Sequence, residues 1–242
     1  MSSAVWSLEW RLATTRKRVF ILNVMVPLTL VLPVATGAVP PVAAAGVYVF
    51  MFAAFAVFGS ALPLRMDGQR GMSARVVRAG VAPASYLVQR AAAGAALDTL
   101  QLTPALLLAA LTAGAGPAQV GSALLSLAGT VWVWGFVGVI IAATSRSVTE
   151  TALFAAVTVP LLAHMSGVFR TSAPNTTSAL LEGISPLRAL HEDLLEMIVG
   201  VPSAGEVSLL IWAILLPMLV WLLGSRLVSA LDRQTRGGLE GA

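Results

Sequence analysis

The sequence predicts an all-α membrane protein with six transmembrane helices, and three observations carry that expectation. Hydrophobic residues make up 57% of the chain and charged residues only 11%, where a soluble domain carries about 25% charge to keep its surface wet. Apolar runs of about 20 residues recur, each long enough to cross roughly 30 Å of hydrocarbon. The cations gather in the connections between alternate runs. The spans are expected at 19–36, 43–64, 87–113, 119–143, 151–169 and 207–227. They make one six-span domain over 19–227, preceded by an interfacial segment, 1–18, and followed by a cytoplasmic tail, 228–242.

The first segment, WSLEWRLATTRKR, places Trp6 and Trp10 four residues apart beside Leu8 and Leu12 and ends on Arg16, Lys17 and Arg18. That pattern suits a helix lying at the inner interface, with indoles at headgroup level and cations against anionic lipid. An ordinary positive flank is the alternative. No removable signal peptide is expected, because the first apolar run offers no convincing small-residue cleavage site.

Orientation follows from the Lys and Arg residues. Those on one side number 13, from Arg11 to Arg236, and those on the other only two, Arg170 and Arg188. The positive-inside rule then puts both termini and the loop after the second span in the cytoplasm, with the chain multi-pass in the cell membrane. The net charge of +4 thus follows the membrane, and nucleic acid is not an expected partner.

The connections GAVPPV and GAGPA are tight Pro/Gly turns that make consecutive spans antiparallel neighbours. The stretch 170–206 is too long for a turn. Its Ser185-Pro186 start leads into LRALHEDLLEMIVG, where Leu187, Leu190, Leu194 and Ile198 recur at helical spacing. A short outer helix, amphipathic or re-entrant, is expected there with its apolar side on the bundle. Within the spans, Ala91–Ala96 allows close backbone approach. Pro27, Pro33, Pro104, Pro160 and Pro217 remove backbone donors and invite kinks.

Several chemistries are excluded. The only lysine is Lys17, outside any G-x-x-x-x-G-K-[ST] pattern, so this chain is not an ATPase by that route. No cysteine is present, which removes thiolate metal sites; no metal site is expected. His164 and Ser166 lie two apart, about 200° round a helix, and cannot form a facing protease pair. His191 begins HEDLLE, which lacks the second His of a zinc-protease motif and reads as a solvated acidic face. Asn175-Thr176-Thr177 satisfies the glycosylation triplet.

Asp98 is the one acid inside a span. It lines a wet cavity or carries a proton, or it pairs with Thr99, Gln101 or a neighbouring helix. With His164 it is a candidate for a translocation pathway. Ser147 followed by Glu150 is a capping box for the fifth span.

Two stretches carry a resemblance. After the second span, Arg70-Gly71-Met72 stands where Glu-Gly-Thr is usual in the type-2 ATP-binding-cassette exporter permeases. Arg75-Val76-Val77 is similar to that family's Arg-Leu-Leu step, and Pro83 and Arg90 fall at its turn and basic helix start. On the outer side, Ser166-Gly167-Val168-Phe169 resembles its Ser-Gly-aromatic step and Ser185-Pro186-Leu187 its Asn-Pro-Leu. The Glu and Thr of the first motif are absent here, and Glu192, Asp193 and Glu196 occupy a helix where a basic residue is frequent.

The resemblance implies the permease subunit of an ATP-driven exporter of drugs, lipids or glycans, a transport subunit and not itself an enzyme. It implies a coupling helix made by Arg70, Gly71, Met72, Arg75, Val76, Val77 and Arg78, docked on a separate ATPase subunit that holds ATP and magnesium. Ser166, Gly167, Phe169 and Pro186 would belong to an outer gate. The remaining partners would be a second permease, identical or not, and membrane lipid; no cofactor is implied in this chain. A proton-coupled secondary transporter using Asp98, and a non-transporting membrane anchor or sensor, are the alternatives.

Overall fold

A computed structural model describes residues 6–7, 10–11, 15, 17–170, 175–202 and 207–236. Nine helices lie among them: α1 Lys17–Pro33, α2 Pro41–Gln69, α3 Met72–Arg78, α4 Pro83–Ala113, α5 Pro117–Thr144, α6 Val148–Met165, α7 Thr176–Ile184, α8 Arg188–Val199 and α9 Val207–Arg236. A π-helical turn, Val34–Ala38, extends α1. Six of these helices, α1, α2, α4, α5, α6 and α9, are long and apolar enough to cross a membrane. A bilayer core offers the backbone no water, so each span satisfies its own N–H and C=O groups within the helix.

The expected spans are all present, and their ends differ for local reasons. α2 runs past its expected end to include Arg65, which finds partners at the bundle's edge, and α4 begins at Pro83, four residues before its expected start. α6 stops at Met165, short of the expected 169, where Gly167 turns the chain at φ +73°. α9 continues through the expected start of the tail to Arg236, and Val228 and Leu231 on that extension are buried. Of the expected interfacial segment 1–18, only Trp6, Ser7, Trp10, Arg11, Thr15, Lys17 and Arg18 are described. The remainder of that reading lies outside the described residues.

The bundle is organised around α2 and α5, its two most buried spans. α5 packs on α2, α4, α8 and α9, while α6 leans on α2 and α1 on α4. A methyl group at Gly138 of α5 would collide with the Ser60 hydroxyl of α2 and lie 2.8 Å from the Val57 carbonyl oxygen. The two backbones therefore meet at a small-residue contact of the kind that replaces hydrophobic drive inside lipid. Ser60 turns its own hydroxyl onto the carbonyls of Ala56 and Val57, so it enters the contact without an unmet donor.

Chain direction alternates, which puts Arg65, Arg146 and Leu231 at one end and the α7–α8 segment at the other. The first is called the arginine end here and the second the far end. Arg65 lies just past the expected end of the second span, yet it is fully buried. Its guanidinium donates to the Arg146 carbonyl at 2.6 Å and to the Leu231 carbonyl at 3.5 Å, so one side chain ties α2 to the α5–α6 connection and to α9. Beside it, the Ser147 hydroxyl accepts from the Glu150 N–H at 3.0 Å and the Glu150 carboxylate accepts from the Arg146 N–H. The expected cap of α6 is thus present, with the return bond falling one residue earlier than in the usual box.

Gly138→Ala is expected to destabilise the protein by about 1–3 kcal/mol, the usual cost of forcing a group into a filled contact. Gly121→Ala on the same helix meets no atom within 4 Å and should leave thermal unfolding in detergent unchanged. Equal melting temperatures for the two variants would contradict the packing described here.

Candidate functional site

At the arginine end, α3 is a helix of seven residues entered through Gly71, whose φ of +65° is a left-handed conformation that glycine adopts at little cost. It packs against the ends of α2, α4 and α9. Val76 and Val77 face that packing, Met72 is half-buried, and Arg70, Arg75 and Arg78 are exposed. Arg75 folds back to donate to the Arg70 carbonyl at 2.9 Å and the Gly71 carbonyl at 3.4 Å, which stiffens the turn and presents its charge close to the backbone. Asp67 and Arg90, 3.4 Å apart, join α2 to α4 beneath the loop. Ser73 is fully buried.

The far end is built on a helical hairpin. The stretch expected to hold one outer helix holds two. α7 begins at Asn175, whose side chain accepts from the Ser178 N–H at 2.8 Å, so the residue that opened the glycosylation triplet serves as an N-cap. α8 buries Leu190, Leu194 and Met197 in the bundle as its spacing predicts, and it ends at Gly200. It runs beside α5 in the opposite direction. Glu196 meets Gln119 near the start of α5, Asp193 meets Ser122 and Ser126, and Pro186 lies with Trp134. Trp134 is 17 residues into α5, roughly 26 Å along it. The hairpin turn is therefore inserted well inside the bundle, the re-entrant form of the two expected.

Asp193 corrects the solvated-face reading of HEDLLE. It is buried, and its carboxylate accepts from the Ser122 hydroxyl at 2.9 Å and the Ser126 hydroxyl at 2.5 Å. Ser122, Ser126, Thr130 and Trp134 follow at intervals of four and so share one face of α5. The signal was legible as that polar spacing, which the sequence reading passed over. Below the two serines, the Thr130 hydroxyl and the Trp134 indole N–H are buried with no hydrogen-bond partner among the described residues.

The two outer motifs meet. The Ser185 hydroxyl donates to the Ser166 hydroxyl at 2.6 Å, and Ser166 donates onward to the Leu162 carbonyl at 2.6 Å. From α9, the Ser208 hydroxyl and the Trp212 indole N–H donate to the Ser185 and Ile184 carbonyls at 3.1 and 2.6 Å. Gly167 leaves room for the Glu182 side chain, which pairs with Arg170 at 3.0 Å. Phe169 stands half-exposed against Phe50, ring centroids 6.0 Å apart. Ser166, Gly167 and Pro186 thus belong to one place, with Phe169 at its edge.

Asp98 and His164 do not come together. The Asp98 carboxylate lies against Gly59, where a methyl group would come within 2.6 Å of it, and Thr99 donates to the Ala95 carbonyl instead. Among the described residues Asp98 has no hydrogen bond or ion pair. His164 is exposed on α6, which shares no packed seam with α4.

His191 lies outside the six spans on α8. Burial holds its imidazole below the ordinary value, and the Glu192 charge opposes that shift. Compared with known proteins, the chain matches no family model and no curated protein sequence.

Two outcomes follow. Asp193→Ala removes the charged acceptor of two hydroxyls and should cost about 1.5–3 kcal/mol, with faster hydrogen exchange in α8 and none of that gain in α2; uniform exchange would break the anchor assignment. The folded state keeps His191 neutral more strongly than the unfolded chain does. Below the ordinary value of about 6.5 the unfolded chain binds the extra proton, so stability falls as pH drops toward the lowered native value. His191→Gln should lessen the loss of melting temperature between about pH 7.5 and about pH 5.5, and an unchanged loss would assign it to other groups.

Proposed function

We propose that this chain is the membrane permease subunit of an ATP-driven exporter, working with a second permease and a separate ATPase subunit that carries ATP and magnesium. The observation that carries the reading is α3. It is a short helix braced on three spans, it shows Arg70, Arg75 and Arg78 outward, and it has no acidic residue of its own. Such a surface suits a partner's carboxylates, and a helix fixed to α2, α4 and α9 at once passes a displacement to the bundle. Val76 and Val77 serve that bracing, which leaves the arginines and the exposed part of Met72 to meet the ATPase.

Transport then works by population shift. ATP binds one arrangement of the complex better than the other, and α3 transmits the difference. The weakly buried spans α1, α6 and α9 expose apolar residues such as Leu22, Phe154 and Leu215, which supply area for lipid and for the second permease. The re-entrant hairpin serves as the outer gate, and the cargo is hydrophobic or amphipathic. In this reading the arginine end is cytoplasmic and the protein lies in the cell membrane.

Arg70→Glu, Arg75→Glu and Arg78→Glu, made singly, should insert normally yet lose partner capture or substrate-stimulated ATP hydrolysis, since breaking a buried interfacial charge pair costs about 2–5 kcal/mol. Full capture and full stimulation in all three would remove the coupling role. Topology is checked with an impermeant thiol reagent in intact cells, which should label Thr177→Cys but not Ala79→Cys, both exposed positions; the reverse pattern would invert the orientation.

A further inference from the structure

We propose that two adjoining cavities at the far end form one binding site for a zwitterionic phospholipid of the surrounding bilayer, with a single acyl chain seated between α5, α6 and α9. The first cavity is an apolar slot of about 200 Å³ lined by Val133, Trp134, Val137, Leu162, Pro186 and Leu216. The second is a charged cleft of about 500 Å³ lined by Arg170, Glu182, Arg188, His191 and Glu192. Ser166 lines both, so one molecule crossing at the Ser166–Ser185 hydrogen bond would touch each.

The slot suits a hydrocarbon chain. α6 and α9 share no packed seam, and between them Met165, Leu181 and Ile184 line the slot while remaining exposed. An apolar void at that depth holds apolar matter more readily than water, which needs several polar partners to stay. The Trp134 side chain, 1% exposed, lines the slot, and its indole N–H has no partner among the described residues. An ester oxygen at the head of an acyl chain supplies the missing acceptor, and leaving a buried donor unmet is costly.

The cleft fixes the head. Its charges are two arginines and two glutamates, in the pairs Arg170–Glu182 and Arg188–Glu192, and His191 also lines it. A head of one sign meets like charge as closely as opposite charge. A phosphate joined to an ammonium pairs with both. Arg170 Nε and His191 Nε2 are buried without a hydrogen-bond partner among the described residues, and these are a donor and a group able to donate or accept.

The test uses the full chain purified in detergent, titrated with lysophosphatidylethanolamine and, separately, lysophosphatidylglycerol, and read by native mass spectrometry. Because no ATPase is present, its outcome is independent of the exporter reading. One ethanolamine lipid should bind saturably, and the glycerol lipid about tenfold more weakly. Val137→Trp, which fills the slot, should weaken binding about tenfold or more, and Met165→Trp at the exposed mouth should do the same if the first variant fails to fold. Glu182→Gln should erase most of the preference between the two heads. Equal affinity for the two lipids overturns the head assignment, and unchanged affinity in a folded slot variant overturns the site.

Discussion

The contact of Gly138 with Ser60 and Val57 sets the distance between the two central spans, and the remaining elements are arranged about that pair. In lipid, apolar surface gains nothing by leaving one hydrocarbon environment for another, so helices associate through close packing and hydrogen bonds. Where α5 meets α2 the closeness comes from the absence of a side chain. With those backbones held together, α4 and α9 pack along α5 and α6 along α2, and at the far end the same two helices receive α8.

Each end of the bundle then handles a buried charge by hydrogen bonding rather than by exposure. At the arginine end, the Arg65 guanidinium meets two main-chain carbonyls from distant segments. At the far end, the Asp193 carboxylate meets two hydroxyls one turn apart on α5. A buried charge is tolerable when such partners surround it, and removing them is expensive. Both groups therefore act as positional pins: Arg65 holds α2, the α5–α6 connection and α9 in one relation, and Asp193 holds the hairpin at one height along α5. The chain between these pins is mainly apolar span, so the two ends are joined through packed helices.

Both ends hold further polar contacts of their own. At the arginine end Arg75 bonds its own turn and Asp67 pairs with Arg90, while the Ser73 hydroxyl and Arg65 Nε are buried with no hydrogen-bond partner among the described residues. Around Ser166 several buried groups have no hydrogen-bond partner among the described residues: the Trp134 indole N–H, the Arg170 Nε–H and a His191 nitrogen. Native interiors pair nearly all such groups. Those of the far end lie beside the apolar slot, where the proposed lipid would complete them.

Local sequence is enough for the six spans, their alternation, the clustering of arginines at one end and the helix after Ser185-Pro186. Each of these depends on local composition or period: a run of apolar residues long enough for a bilayer, a cation count, a repeat of leucines at helical spacing. It also showed the Ser147–Glu150 cap, since the partners lie three residues apart. The packing of the helices makes Arg65 and Asp193 buried pins rather than parts of a solvated loop and a solvated face. Their partners are 166 and 81 residues away for Arg65 and 71 and 67 for Asp193. It likewise decided that Asp98 rests against Gly59 while His164 faces outward, and that Ser166 meets Ser185. Hydrophobic pattern fixes which segments leave water, but whether a charge within them is met depends on which distant carbonyl or hydroxyl the packed helices bring to it.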